Sequence, residues 1–391
     1  MKTLIELYDE RPLENVMSTE IFKPERTVYI CNRDIDGKEK KALADYYAHR
    51  GIVAQLEFVA ADMYSSKDVY NSLRSAVERH PDCALDVSGG TDNALFAAGQ
   101  LSAEKGLPVF TYSRRQNRYY DIANAPYANK LDCPIKYNVE DFFLMAGGSM
   151  REGRVDNSVL DRYLDYIDPF FAVYLRYRSD WGSFVNYIQR VSPVPKGEPV
   201  CLEIEGEYTV KGEHGRRISA NEELLGEIER IGFIENLRIE RGCSVSFRFM
   251  DAQVRTWLRD VGSVLELYVY KLCLDAGVFN DVRTSVVVDW ESNVRQDSVT
   301  NEIDVMSVRG ITPMFISCKT CEVNTEALNE LAILRDRFGG QGAKAAIVTT
   351  KNSTAVTRNR ATELGIEVID LMDLKRNSGG KRIRALAMRV D

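Results

Sequence analysis

Histidine is scarce, with His49, His80 and His214 the only three in 391 residues. A Ser-His-Asp hydrolase, or a nuclease working by histidine acid-base chemistry, has to use one of them. His49 and His80 close predicted helices ahead of Gly51 and Pro81, and His214 falls in a loop rich in Lys, Gly and Glu. All three read as surface residues. Arg74 and His80 fit an Arg-x5-His ribonuclease spacing only loosely. The apolar run of about 18 residues that a spanning helix requires is missing. The eight cysteines are scattered and MKTLIELYDERPL lacks a signal-peptide core. The expectation is reduced thiols in a cytoplasmic protein with no membrane partner. Cys318 and Cys321 form a CxxC with no second pair or neighbouring histidine, which disfavours zinc. Basic charge is short too: 51 Lys and Arg against 58 Asp and Glu leave a net charge of -7. That speaks against tight duplex binding but allows a local basic groove.

What is present is enough apolar material, 45% of residues, for more than one core in a chain this long. Residues 1–150 alternate short apolar runs with amphipathic stretches. Strands are expected at Thr3–Leu7, Val28–Cys31, Val53–Phe58, Ala84–Ser88 and Pro108–Tyr112. Helices are expected near Leu13–Phe22, Gly37–Arg50, Lys67–Arg79 and Asp92–Lys105. The pattern implies a largely parallel α/β sheet of Rossmann type, with its loops opening at the carboxyl ends of the strands. In DVSGGTDNALFAAG a strand ends at Ser88, two glycines turn the chain, and a helix starts near Thr91 or Asp92. Free N–H groups at such a start attract phosphate. No Walker lysine follows, and the spacing is not GxGxxG, so neither ATP hydrolysis nor dinucleotide binding is expected.

Residues 151–250 read as a helical linker followed by a small winged-helix-like module, whose strands are CLEIEGEYTV and CSVSFRFMD. In residues 251–391 one long helix is expected near Ala252–Ala276. Trp257, Val261, Val264, Tyr268 and Leu272 form its apolar stripe, with Glu266 beside it. Gly277 fits its stop. A strand at Ser285–Asp289 and a hairpin over NEIDVMSVRGITPMFISCKT follow, then helix, strand, helix, strand. Strand alternation puts Phe315, Ser317 and Lys319 on one face, with Asp304 on the neighbouring strand.

Asp304, then SCK with Lys319, then Glu266 on an upstream helix resemble the PD-(D/E)xK restriction-endonuclease-like nucleases. Ser317 stands where that motif has its middle acid. The metal shell implied by the resemblance is therefore Asp304 and Glu266, completed by Glu302 or the backbone carbonyl of Cys318. Taken with LYDERPLENV and SGGTDNA, the chain resembles the CARF-domain nucleases of type III CRISPR systems, the cyclic-oligoadenylate-activated DNA and RNA nickases.

That resemblance implies a CARF domain over residues 1–150 and a restriction-endonuclease-like α/β domain over 251–391. It implies a homodimer switched on by cyclic tetra-adenylate. The ligand cleft would use Tyr8, Asp9, Glu10, Arg11, Asn32, Arg33, Ser65, Ser66, Ser88, Gly89, Gly90, Thr91, Asp92 and Asn93. With Mn2+ or Mg2+ it would cut single-stranded DNA or RNA, or nick duplex DNA. Two other readings stand beside it: a ligand-responsive DNA-binding regulator that does not cleave, and a ring nuclease that degrades the cyclic ligand.

Overall fold

The computed structural model describes all residues except 10, 33–34, 36, 194–199, 213–214, 291–299, 341 and 390–391. In the N-terminal sheet β1 (Thr3–Leu7), β2 (Arg26–Cys31), β3 (Gln55–Ala60), β4 (Cys83–Asp86) and β5 (Val109–Ser113) run parallel, in the order β3-β2-β1-β4-β5. Antiparallel β6 (Arg118–Ala123) and β7 (Leu131–Asp132), not expected from the sequence, extend that edge. Helices α1 (Met17–Phe22), α2 (Gly37–His49), α3 (Ser66–Arg79) and α4 (Asp92–Lys105) complete the crossovers. Every position of β1 is buried, as a central strand covered on both faces requires. The order reverses between β1 and β4, so the loops that follow them lie side by side.

Helix α5 (Val139–Met145) leads through Gly147 and Gly148 into β8 (Ser149–Glu152). The region from residue 130 to 195 reads as helical in the sequence, yet β8 pairs antiparallel with a strand of the second sheet. The expected boundary at residue 150 therefore falls inside a strand. Aromatic helices α6 (Leu164–Arg176) and α7 (Trp181–Val191) follow. The small module comprises β9 (Glu203–Glu207), hairpin β10 (Thr209–Lys211) and β11 (Arg217–Ser219), α8 (Glu222–Ile231), β12 (Ile234–Glu240) and β13 (Ser244–Phe249), with sheet order β12-β13-β9.

The predicted long helix is two, α9 (Ala252–Leu258) and α10 (Ser263–Asp275). Asp260 causes the break. Its Oδ2 accepts from the N–H groups of Gly262 and Ser263 at 3.0 and 2.8 Å and so caps the start of α10. Val261 is consequently exposed and leaves the apolar stripe. The second sheet contains β14 (Asp281–Asp289), β15 (Thr300–Arg309), β16 (Thr312–Lys319), β17 (Lys344–Thr349) and β18 (Ile366–Ile369), in the order β18-β17-β16-β15-β14-β8. Helices α11 (Thr325–Gly339), α12 (Ala355–Glu363), α13 (Leu371–Lys375) and α14 (Gly379–Met388) complete it.

One face of this sheet meets α10 and the aromatic helices; Ile316 and Cys318 point there. The other face, with Phe315, shares a hydrophobic cluster with the N-terminal half, where Phe143 meets Phe338 at 5.2 Å between ring centroids. The two halves are thus joined by common core as well as by chain. Among the described residues no helix is long and apolar enough to cross a membrane.

Candidate active site and ligand cavity

The ladder between β15 and β16 is regular from Arg309–Thr312 up to Val305–Ile316. Beyond that rung Asp304 turns its carboxylate towards β16. Its Oδ2 accepts the Cys318 N–H at 2.5 Å and the Ser317 hydroxyl at 3.1 Å. On β14, Ser285 adopts a φ of 53° and is skipped by the ladder, which pairs Thr284 with Val305 and Val286 with Ile303. The register is the same on both sides, so no residue is inserted, and the Ser285 hydroxyl donates to Glu302 at 2.7 Å. Asp304, Glu302, Ser317 and Lys319 line one small cavity of ≈ 50 Å³, closed below by α11 through Ala327, Leu331 and Leu334.

Glu266 arrives on the first turn of α10 and is buried. Its Oε1 lies 3.7 Å from Arg154, and its Oε2 is buried with no hydrogen-bond partner. Gly262 lets it lie flat: a Cβ there would stand 2.8 Å from Oε1. Burial, then the facing charge of Asp304, raise the Glu266 carboxyl to about 8, against the pull of Arg154. Burial likewise raises Asp304, with the Cys318 N–H, Lys319 and Ser317 opposing it. Two buried carboxylates that resist ionisation together gain most from a cation.

Among the described residues no three His, Cys, Asp or Glu side chains converge into a ready cage. The donors nevertheless suit Mg2+ or Mn2+. They are hard oxygens, one of them orphaned, and Mg2+ is commonly held by one or two carboxylates plus water and substrate phosphate. The Cys318 thiol suits it less. It is buried among apolar residues with its pKa pushed well up, and the residue's observed service is its N–H to Asp304.

Sequence reasoning did not single out Arg154 and Asp260. The Arg154 guanidinium pairs with Asp260 and lies 3.5 Å from Glu302 and 3.7 Å from Glu266. No motif marks an arginine in a linker, so no sequence signal pointed to it. The histidines sit apart. His80 pairs with Glu57 at 3.1 Å, half-buried rather than on the surface, and His49 lies 3.5 Å from Asp141. His214 lies outside the described residues.

A second concavity forms where β1 and β4 end. Asp9 organises it, receiving N–H groups from Arg11 and Gly90 at 2.9 Å each and the Arg11 guanidinium at 2.6 and 2.7 Å. Burial alone would raise Asp9, but these donors outweigh it and hold the carboxyl below its usual range. Gly90 has a φ of 93°, and a Cβ there would stand 2.6 Å from the Leu7 Cβ, so only glycine fits. Tyr8, Asp9, Arg11, Asn32, Gly90 and Thr91 line a cavity of ≈ 590 Å³, together with Ile35, Glu39, Met63 and Tyr64. Asn32 also lines a neighbouring hollow with Ser65 and Lys67.

Thr91 caps α4, and Ser65 caps α3. Ser88 is spent on the fold, bonded to Asp86 and to the Tyr112 N–H, and is not in the lining. Ser66, Gly89, Asp92 and Asn93 also fall outside the lining of either hollow. Glu10 and Arg33 lie outside the described residues.

Residues 253–378 match the family model of the Card1-like endonuclease domain. No curated protein matches the sequence. Protein VC1899 from Vibrio cholerae superposes with a TM-score of 0.74 at 18% identity, covering 98% of this chain and 97% of that one. Can2 from Sulfobacillus thermosulfidooxidans, solved with cyclic tetra-adenylate, gives 0.69 at 15% identity, covering 100% and 97%. A type III CRISPR defence DNA nuclease activated by cyclic oligoadenylate gives 0.50 at 14% identity, covering 91% of this chain and 47% of that one. At such identities the likeness is one of fold.

Proposed function

We propose that this chain, whose residues 253–378 form a Card1-like endonuclease domain, is a metal-dependent nuclease of type III CRISPR defence, activated by cyclic tetra-adenylate. The observation that carries the reading is the meeting of Asp304, Ser317 and Lys319 at the end of one hairpin, with buried Glu266 opposite.

Asp304 and Glu266 would hold the cation, and the Cys318 N–H and Ser317 hydroxyl keep the Asp304 carboxylate aimed. When bound, a divalent ion polarises a phosphoryl oxygen and acidifies water. Lys319 brings a positive charge to the same cavity, where it steadies the charge that builds on phosphate. With Ser317 in place of an acid, the chain would offer the ion few carboxylates and would leave room for phosphate oxygens of the substrate. The substrate is single-stranded DNA or RNA.

The activator occupies the hollow organised by Asp9, Arg11 and Gly90, doubled in a homodimer about a twofold axis. Exposed Tyr64 at its rim and exposed Phe96 on α4 supply apolar surface for that contact. Can2, of like fold, binds this ligand. Activation requires that the ligand bind the closed dimer more tightly than the open one.

The test is a matrix of labelled single-stranded DNA and RNA with and without cyclic tetra-adenylate and Mn2+. Cleavage only when both are present is the expected result. Ligand-dependent duplex binding without cutting would instead identify a regulator, and conversion of the ligand to linear di-adenylate a ring nuclease.

A further inference from the structure

Between the two sheets lies a cleft of ≈ 530 Å³ that shares no lining residue with the catalytic cavity or the hollows near Asp9. Its wall is assembled from the β5–β6 turn, the connector before α5, the β15–β16 turn, the start of β17 and the end of α14. Six cations line it: Arg114, Arg115, Lys136, Arg309, Lys344 and Arg389. None of the described lining residues is Asp or Glu. In a chain of net charge -7, so many cations around one concavity focus a positive potential there.

Structural ion pairing engages only part of this set, with Arg389 lying 3.7 Å from Glu367. Arg115, Lys136 and Arg309 form no ion pair among the described residues. Arg114 is anchored by Glu14 at 2.9 Å, yet its Nη1 is buried with no hydrogen-bond partner. Gly342 cradles that guanidinium: a Cβ there would press on Cδ and Nη1 at 3.1 Å each. A buried, unpaired guanidinium N–H costs free energy unless an acceptor arrives. Asn117 and Asn280, also in the wall, are committed to backbone partners: Asn117 to the Cys133 carbonyl, Asn280 to the Tyr137 carbonyl and the Gly310 N–H. They fix the shape, and Arg115, Lys136, Arg309 and the orphaned Nη1 of Arg114 are left for a ligand.

The cleft lies at the opposite end of the β15–β16 hairpin from Lys319. Seven residue steps along β16 separate Thr312 from Lys319, roughly 23 Å. Its size is that of a small-molecule pocket. We propose that it binds a small anion carrying several phosphates, held by Arg114, Arg115, Lys136 and Arg309 and shared between the two halves of the chain. Bound there, the anion bridges the β5–β6 turn of one sheet and the β15–β16 turn of the other.

The probe is tripolyphosphate, titrated into the full-length protein by calorimetry at two salt concentrations, with ATP and a short single-stranded DNA as parallel arms. Wild type binds tripolyphosphate and ATP, more weakly at high salt. The pair Lys136→Gln/Arg309→Gln loses at least about tenfold in affinity. The charge-keeping pair Lys136→Arg/Arg309→Lys retains binding, which separates lost charge from a damaged fold. Arg238→Gln, which removes an exposed charge of β12 that lines none of these cavities, leaves tripolyphosphate binding unchanged.

No binding by wild type overturns the proposal. So does equal binding by the neutral pair, loss in both pairs, or an equal loss in Arg238→Gln. If only the DNA arm binds, and binds through Lys136 and Arg309, the small-ligand assignment is wrong. Because no readout involves cleavage, the result is independent of the nuclease reading.

Discussion

Glu266→Gln makes the paired buried acids testable without any substrate. Glutamine keeps the volume that lies over Gly262 and removes the ionisable group. In the folded chain the Glu266 carboxyl is raised to about 8 from an ordinary 4.5, chiefly by burial and then by Asp304. A raised acid binds its proton more tightly folded than unfolded. Between about pH 4.5 and about pH 8 the folded state therefore carries more protons, and stability falls as pH rises. At neutral pH the offset is about 2.5 pH units, which at 1.36 kcal/mol each is roughly 3 kcal/mol as an upper limit.

If the nuclease half unfolds as a unit, that corresponds to a Tm gain of roughly 6–12 °C for Glu266→Gln. The assay is thermal unfolding in a chelator across this pH range. The gap between variant and wild type should be near zero around pH 4.5, widen with pH and level off above about pH 8. Adding Mn2+ should narrow it, by stabilising only the wild type. A variant less stable than wild type at high pH, or a gap that does not change with pH, refutes the picture of a carboxylate held against its own charge.

Three further outcomes follow from the same geometry. Asp304→Asn and Lys319→Ala should each reduce oligonucleotide cleavage by at least about 10²-fold with unchanged circular dichroism; retained cleavage removes these residues from the site. Gly90→Ala forces a Cβ against Leu7 at a positive φ. It should cost about 1–3 kcal/mol in denaturant unfolding and weaken cyclic tetra-adenylate in calorimetry, and an unchanged affinity would place the ligand elsewhere. Ser317→Glu supplies the acid missing from the motif and should tighten Mn2+ about tenfold in a metal titration; no tightening means that this position does not face the ion.

The N-terminal sheet was legible because each of its parallel strands is a short apolar run bounded by an amphipathic helix. The carboxylate and lysine of the hairpin were legible because strand alternation fixes their face. What escaped did so for definable reasons. β8 is a four-residue strand, SMRE, with no apolar alternation, and it exists because β14 offers it a free edge. The break before α10 is made by a single capping aspartate, Asp260, which periodicity cannot register inside an apolar stripe. Ser88 has the composition of a ligand-binding loop but spends its hydroxyl on Asp86 and Tyr112, a tertiary choice. The basic cleft is invisible in a sequence of negative net charge, because its six cations come from five separate segments.

The way β8 is seated limits how a signal can travel. The connector is stitched to β14, with Arg151 on Asp289 and close glycines at both ends: Cβ atoms at Gly148 and Gly153 would meet the carbonyl oxygens of Asp289 and Ser285 at 2.8 and 2.7 Å. Such a joint has no slack to take up. A rotation of the first sheet would therefore arrive at the second as shear on its outermost strand, and Arg154, two residues beyond β8, would carry that displacement among Asp260, Glu266 and Glu302. Coupling through such a joint would be geared rather than tethered, its stroke limited by how far a hydrogen-bonded ribbon can slide without parting.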